Sequence, residues 1–416
     1  MKKYNKYIYI KDNFKATFKG YRLSELLSFQ FACYSYGMLH FPSITFKKII
    51  KNFFNVKTLG ELEEVFCHNG FIFSHADLTR NDYIELVDKS SAFLKGSKTF
   101  RYKKQRNNNY NLYLIIKSIY QAFKYLGNDF TVKEKLYWVQ CIVETKLNIK
   151  YVESVVKKSK IKGFVAFNSS INQDSILCLV CNKYKIPSYS LQHGFYLYYE
   201  KNIPIDVINY ENITANKLLC WGKSTIENIL MFGVSKEKLL IVGNPRMTNL
   251  ENVELKKTDF KKVIVLMGRY IHHDSNLELL KLLQEVASKT EIDIYLKLHP
   301  SLEQMKLDKF YNFGFKLIAA NDKLSDVLPD FDFAIANNTS AYFDAKMNGL
   351  LCIRYGKDEI ENFGEREYVF NNLEEYFSIT RKFLELPYTV LNDNFKKSLE
   401  YHFAKDVELN FLRLNL

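Results

Sequence analysis

The 416-residue chain holds no apolar run near the roughly 18 residues that a membrane span needs. Its first residues, MKKYNKYIYIKDNF, are basic but lack an apolar stretch of signal-peptide length, so a secreted protein is not expected. Seven cysteines, an odd number spread from Cys33 to Cys352, argue against a paired disulfide framework and for a reducing compartment. The C-x-x-C formed by Cys178 and Cys181 has no second pair at zinc-site spacing and reads as buried helix thiols. The expected location is the cytoplasm, with peripheral contact at the inner face of the cell membrane.

A concentrated basic patch is missing as well. The net charge of +13 comes from 59 Lys and Arg against 46 Asp and Glu, but the densest runs, RYKKQR (101–106) and VKKSKIK (156–162), are short. This pattern speaks against nucleic acid as a partner and leaves phosphate-rich ligands and an anionic membrane surface. WGKST (221–225) lacks P-loop spacing, because Lys217 stands where the first glycine is required. DFDFA (330–334) contains Asp-x-Asp but reads as a buried strand, and the adjacent His272 and His273 read as a loop over a cleft; no metal site is expected.

What is present suits globular packing, with 47% hydrophobic and 25% charged residues, in a chain too long for one ordinary core. Residues 1–160 are the least legible and read as largely helical, with short possible strands such as GFIFSHAD (70–77). From Gly163 a strand–helix rhythm begins: GFVAFNSS, NQDSILCLVCNKYK, IPSYSLQHG, KLLCWG, KSTIENILMFG and KLLIVGNPR run to Arg246. The polar connector ENVELKKTDFKK (251–262) separates this from a second set, VIVLMG, SNLELLKLLQEVASKT, DIYLKLHP, FKLIAA, FDFAIAN, SAYFDAKMNG and LLCIRYG. The expected class is α/β, with two doubly wound Rossmann-type domains facing a cleft and helical additions at the N-terminus. The domains are placed at 1–255 on the acceptor side, with strand–helix repeats over 163–246, and at 262–370 on the nucleotide-donor side. Helices in 371–416 are expected to pack back across both.

Candidate site residues fall at or after strand C-termini, where open α/β sheets bind ligands. Gln192, His193 and Gly194 end one buried strand. Gly243 to Arg246 end another, Gly268 and Arg269 follow the first strand of the second set, and Lys297, His299 and Pro300 follow the next. In ANNTSAYFDA, Asn338, Thr339 and Ser340 stand at a helix N-terminus whose N–H groups and hydroxyls suit a phosphate, with Asp344 a turn further on. His193 is expected to project into the cleft on a tight turn at Gly194.

Gln-His-Gly, Gly-Asn-Pro-Arg, Leu-Lys-Leu-His-Pro and Asn-Thr-Ser with Phe343-Asp344 together resemble the bacterial GT-B glycosyltransferases of surface polysaccharide, over roughly residues 163–360. Within that class the chain is similar to transferases of cytidine-activated donors: sialyl- and Kdo-type enzymes that use CMP-sugars, and CDP-glycerol polyol-phosphate transferases. The resemblance implies that His299 and Ser340 hold the donor phosphate, with Arg246 and Thr339 nearby. Gly268, Arg269, Lys297, Pro300, Asn338 and Asp344 join that donor side. His193 would take the acceptor proton in a direct, metal-independent displacement, with Gln192 and Gly194 beside it. No cofactor is implied beyond the nucleotide-sugar co-substrate, with a CMP-sugar favoured and a glycan or lipid-linked oligosaccharide as acceptor. The departures are that sialyltransferases carry an acidic-acidic-glycine motif where Gln192-His193-Gly194 stands, and polyol-phosphate transferases continue with Thr-Pro where Phe195 and Tyr196 follow. A CDP-glycerol-type transferase and a non-catalytic polysaccharide-binding protein of the same fold are the alternatives.

Overall fold

The computed structural model describes residues 2–39, 56–76, 78–106, 112–256, 260–299, 302, 308–319, 322–356 and 366–415. Two six-stranded sheets, parallel throughout, organise the chain. The first contains β1 (Phe71–Ser74), β2 (Lys98–Phe100), β3 (Gly163–Ala166), β4 (Ser188–Leu191), β5 (Lys217–Cys220) and β6 (Leu239–Ile241), in the order β2-β1-β3-β4-β5-β6. The second contains β7 (Lys262–Leu266), β8 (Asp293–Lys297), β9 (Lys316–Leu317), β10 (Phe333–Asn337), β11 (Leu351–Tyr355) and β12 (Val369–Phe370), in the order β9-β8-β7-β10-β11-β12. This is the GT-B architecture of two doubly wound domains. The order reverses between β1 and β3 in one sheet and between β7 and β10 in the other, and such switch points open a crevice at the strand C-termini.

The strands form because helices cover both faces of each sheet, so whole runs such as Phe71–Ser74, Gly163–Ala166 and Phe333–Asn337 are buried. Alternate residues serve different cores. Phe73, Val165, Leu191 and Leu219 pack together on one side of the first sheet, while Ile72, Phe164, Ala166 and Leu218 face the larger core on the other. The sequence reading starts the strand–helix rhythm at Gly163. The sheet begins earlier, since β1 and β2 come from the N-terminal region and place its loops at the cleft. FKLIAA shrinks to the two-residue β9.

After the helix Leu373–Glu385, the helix Tyr388–His402 leads the chain back to the first sheet. The Ala404 N–H donates to the Trp221 carbonyl at 2.8 Å, and Val407 and Phe411 join the core around Phe73 and Val165. Gly243, at φ +90°, makes room for this passage, because a Cβ there would lie 2.8 Å from the Ala404 carbonyl oxygen. The WGKST loop is closed by the same segment: His402 Nδ1 lies 2.8 Å from Ser224 Oγ. Asp332 of DFDFA accepts the Lys262 N–H at 2.8 Å, at the end of the sheet where β7 begins, opposite the strand C-termini.

Candidate functional site

Loops from both sheets meet at the strand C-termini. Phe195, just past β4, stacks on Phe343 of the second domain with ring centroids 4.1 Å apart. Beside this contact three arginines enter from three loops. Arg80, at the N-terminus of the helix Asn81–Ala92 that follows β1, grips Asp82 in a fork (Nε–Oδ1 3.1 Å, Nη2–Oδ2 2.6 Å) and lies 4.0 Å over the Tyr83 ring. Arg246, from Gly-Asn-Pro-Arg after β6, brings Nη1 to 3.9 Å from Asp82 Oδ2. Arg269, after β7, has Nη1 3.7 Å from Asp206 Oδ2, an ion pair between the domains. Arg246 Nε is buried with no hydrogen-bond partner, and a buried orphan donor in a cleft calls for an acceptor supplied from outside.

Opposite stands His299, whose pKa is lowered to about 4 by burial, then by the positive fields of Arg269 and Arg80 and by His272. That Arg80 and Arg269 act on one imidazole places the two domains' cations around common ground. Asp344 is exposed on the first turn of the helix Ala341–Met347, yet the protein packed round its carboxyl raises its pKa; Arg246 partly offsets this and Asp82 adds to it. A solvent-reachable carboxylate with a raised pKa beside the cleft arginines is a candidate proton acceptor.

Other expected site residues serve the frame. Gly268 exchanges two 3.0 Å bonds with the Asn276 amide, and a Cβ there would lie 2.6 Å from the Asn337 carbonyl oxygen. Asn338 adopts φ +44° and its amide lies 3.4 Å from His272 Nδ1. Thr339 Oγ1 accepts the Ala341 N–H at 3.3 Å, whereas Ser340 is exposed and its hydroxyl makes no cap bond to the seven-residue helix Ala341–Met347. The expected N-cap therefore forms only weakly. Lys297 Nζ donates to the Ala319 carbonyl at 2.7 Å, which ties β8 to the edge of the sheet. Pro300 lies outside the described residues.

Gln192-His193-Gly194 departs most from expectation. Gln192 uses both ends of its amide internally: Oε1 accepts the Trp221 N–H at 2.7 Å and Nε2 donates to the Gly194 carbonyl at 2.9 Å. It is 1% exposed and clamps β4 to β5. Gly194 has no positive φ, so the expected tight turn is not what requires glycine; open space surrounds its missing Cβ. The His193 ring does not project freely into the cleft. It packs on Phe167 (4.5 Å) and against Tyr83 (5.8 Å), with Nδ1 bonded to the Tyr196 hydroxyl at 3.0 Å. Because Tyr83 carries Arg80 on its face, His193 braces that arginine from behind.

Burial lowers the His193 pKa from 6.5 to about 4, so native His193 refuses a proton that the unfolded chain accepts below pH 6.5. Stability is therefore fully present above pH 6.5 and is lost as pH falls towards 4, by up to roughly 3 kcal/mol for this group. Urea unfolding at pH 7 and pH 5 should show a smaller acid loss in His193→Gln; equal losses in both proteins would contradict this account.

Sequence reasoning missed Arg80, Asp82, Tyr83 and Asp206. The signal for the first three was the polar stretch after GFIFS, a strand-end loop of the kind that exposed Arg246 and Arg269; Asp206 lies in the long connection after β4.

No protein-family model and no curated protein matches the chain. Among solved structures it is similar to Staphylococcus aureus MnaA with UDP, at 12% identity over 83% of this chain and 94% of that one, TM-score 0.48. It is also similar to the UDP-GlcNAc 2-epimerase of Methanocaldococcus jannaschii, at 14% identity over 83% and 97%, TM-score 0.46. A third is S. aureus TarM with UDP, at 13% identity over 65% and 59%, TM-score 0.44. These are likenesses in the course of the chain, and the chemistry of the cleft follows from its own residues.

Proposed function

We propose that this protein is a nucleotide-sugar-dependent glycosyltransferase acting on a hydroxyl of a cell-surface glycan. The observation that carries the reading is the convergence of Arg80, Arg246 and Arg269 with His299 on one inter-domain cleft, with the buried Arg246 Nε left for an incoming acceptor. A nucleotide phosphate supplies that acceptor, and its charge grows as it leaves. In the step, the acceptor oxygen bonds to the anomeric carbon, the bond from that carbon to the phosphate oxygen breaks with its electron pair passing to the phosphate, and the hydroxyl proton passes to Asp344. Arg80, Arg246, Arg269 and neutral His299 donate to the phosphate, with Ser340 beside them. His193 acts as a positioning residue for Arg80 rather than as the base.

The finer proposal is a CMP-linked, sialic-acid- or Kdo-like donor, supported by the motif resemblance; a CDP-glycerol donor would use the same cations. Thermal shift with CMP, CDP, UDP and GDP separates these, because a ligand at 100 times its Kd stabilises the native state by about 2.7 kcal/mol. Cytidine nucleotides should raise Tm most. Equal shifts with all four would remove the cytidine preference, and no shift with any would remove the donor reading. Donor hydrolysis by the purified protein separates an enzyme from a non-catalytic binder.

A further inference from the structure

The helix Leu112–Tyr125 carries a large apolar stripe on the face turned away from the core. Its buried face is mixed: Leu114 and Ala122 join the hydrophobic core, while Ser118, fully buried, accepts a 2.9 Å bond from the buried Lys146 ammonium and Gln121 donates to the Thr17 carbonyl at 3.0 Å. Most of its large apolar residues nevertheless face outward. Leu112, Tyr113, Ile116, Ile119, Tyr120 and Phe123 are exposed by 38% to 70%, and their spacing of three and four residues makes one continuous stripe. A contiguous exposed apolar stripe of this kind marks a docking surface.

Charge selects the occupant. Lys124 Nζ lies 5.3 Å from the ring centroids of both Tyr120 and Tyr125, and Lys135 Nζ lies 5.5 Å from that of Phe123, so ammonium groups interleave with the aromatic stripe. Lys117 and Lys133 stand on the same two helices and Lys6 on the helix Lys3–Asn13, against Asp129 and Glu134. Lys6, Lys124 and Asp129 also line a cavity of about 420 Å³ at the end of the helix. Aromatic and aliphatic groups interspersed with lysines fit the interface of a bilayer with anionic headgroups, where rings sit at headgroup level and lysines meet phosphate. Among the described residues no helix is long and apolar enough to cross a membrane, so contact is of the in-plane kind.

We infer that the outer face of Leu112–Tyr125 docks this protein on an anionic lipid surface. The test is flotation of the full chain with phosphatidylcholine vesicles, with and without phosphatidylglycerol. Binding should be about tenfold stronger with phosphatidylglycerol and fall with salt. Ile116→Asn with Phe123→Asn should lower it about tenfold or more at unchanged Tm, since the buried face is untouched. Lys124→Glu with Lys135→Glu should remove the preference for phosphatidylglycerol. Tyr120→Trp gives an independent readout, a blue shift of emission on the anionic vesicles. The inference is overturned by equal binding to both vesicles, by no binding, by full binding of the Asn variant, or by no shift from the tryptophan. A dimer that the Asn variant splits into monomers would overturn it too, by giving the face to a second copy. Turnover with a soluble acceptor is expected to be unchanged in these variants, so failure here leaves the transferase reading standing.

Discussion

Asp344→Asn should lower kcat by about 10² to 10⁴-fold while nucleotide affinity changes little, the range expected when a positioned proton acceptor is lost. The carboxylate meets the requirements in the structure: it touches solvent, sits in the cleft near Arg246, and has a raised pKa. A base works only when ionised, so the rate should fall as pH drops through that raised pKa, and the Asn variant should lose this limb of the profile. Asn keeps the volume and the hydrogen bonding, which limits structural damage. His193→Gln should retain activity within a few-fold, whereas His193→Ala should lower Tm by opening a hole among Phe167, Tyr83 and Tyr196. A silent Asp344→Asn together with a dead, well-folded His193→Gln would return the base role to the histidine.

Arg246→Ala should cost about 2.7 to 4 kcal/mol of transition-state stabilisation, on the order of 10²- to 10³-fold in kcat, and should weaken nucleotide binding as well. Its guanidinium is held 5.9 Å over the Trp221 ring and 3.9 Å from Asp82, so the fork is already oriented before a phosphate arrives. Arg246→Lys keeps the charge but not the fork, and recovery should be partial. Loss of binding without loss of kcat at saturation would make Arg246 a ground-state contact only. Wild-type behaviour in Arg246→Ala would withdraw the phosphate assignment.

The second sheet was the easier one to read, because its strands are short apolar runs bounded by polar turns, and Val263 to Leu266 or Phe333 to Ala336 bury every residue. β2 was hidden, and GFIFSHAD read only as a possible strand outside the strand–helix rhythm, so the place of β1 beside β3 was missed. β1 and β2 are four and three residues long and lie among aromatic-rich helices, so no periodicity separates them from their surroundings. With β1 went Arg80 and Asp82, whose importance depends on which strand lies beside β3. The orientation of His193 is a tertiary property too: a strand-end imidazole faces a ligand or a wall of rings according to what Phe167 and Tyr83 bring from elsewhere, and its own neighbours in sequence carry no trace of them. Gln192 looked like a group for a substrate because its second partner, the Trp221 N–H, is 29 residues away.

The chain passes between the sheets twice. The first passage, after β6, is fastened by the Lys256 N–H to the Gly349 carbonyl (2.8 Å), and the return by the Ala404 N–H to the Trp221 carbonyl (2.8 Å). Two bodies pinned at two points keep one easy freedom, rotation about the line through the pins, while sliding and twisting must break a pin. Opening along that freedom would part the Phe195 and Phe343 rings, which meet 4.1 Å apart across the cleft. A single tether between the halves would leave several such freedoms, and with them several ways for Arg246 and Asp344 to come apart.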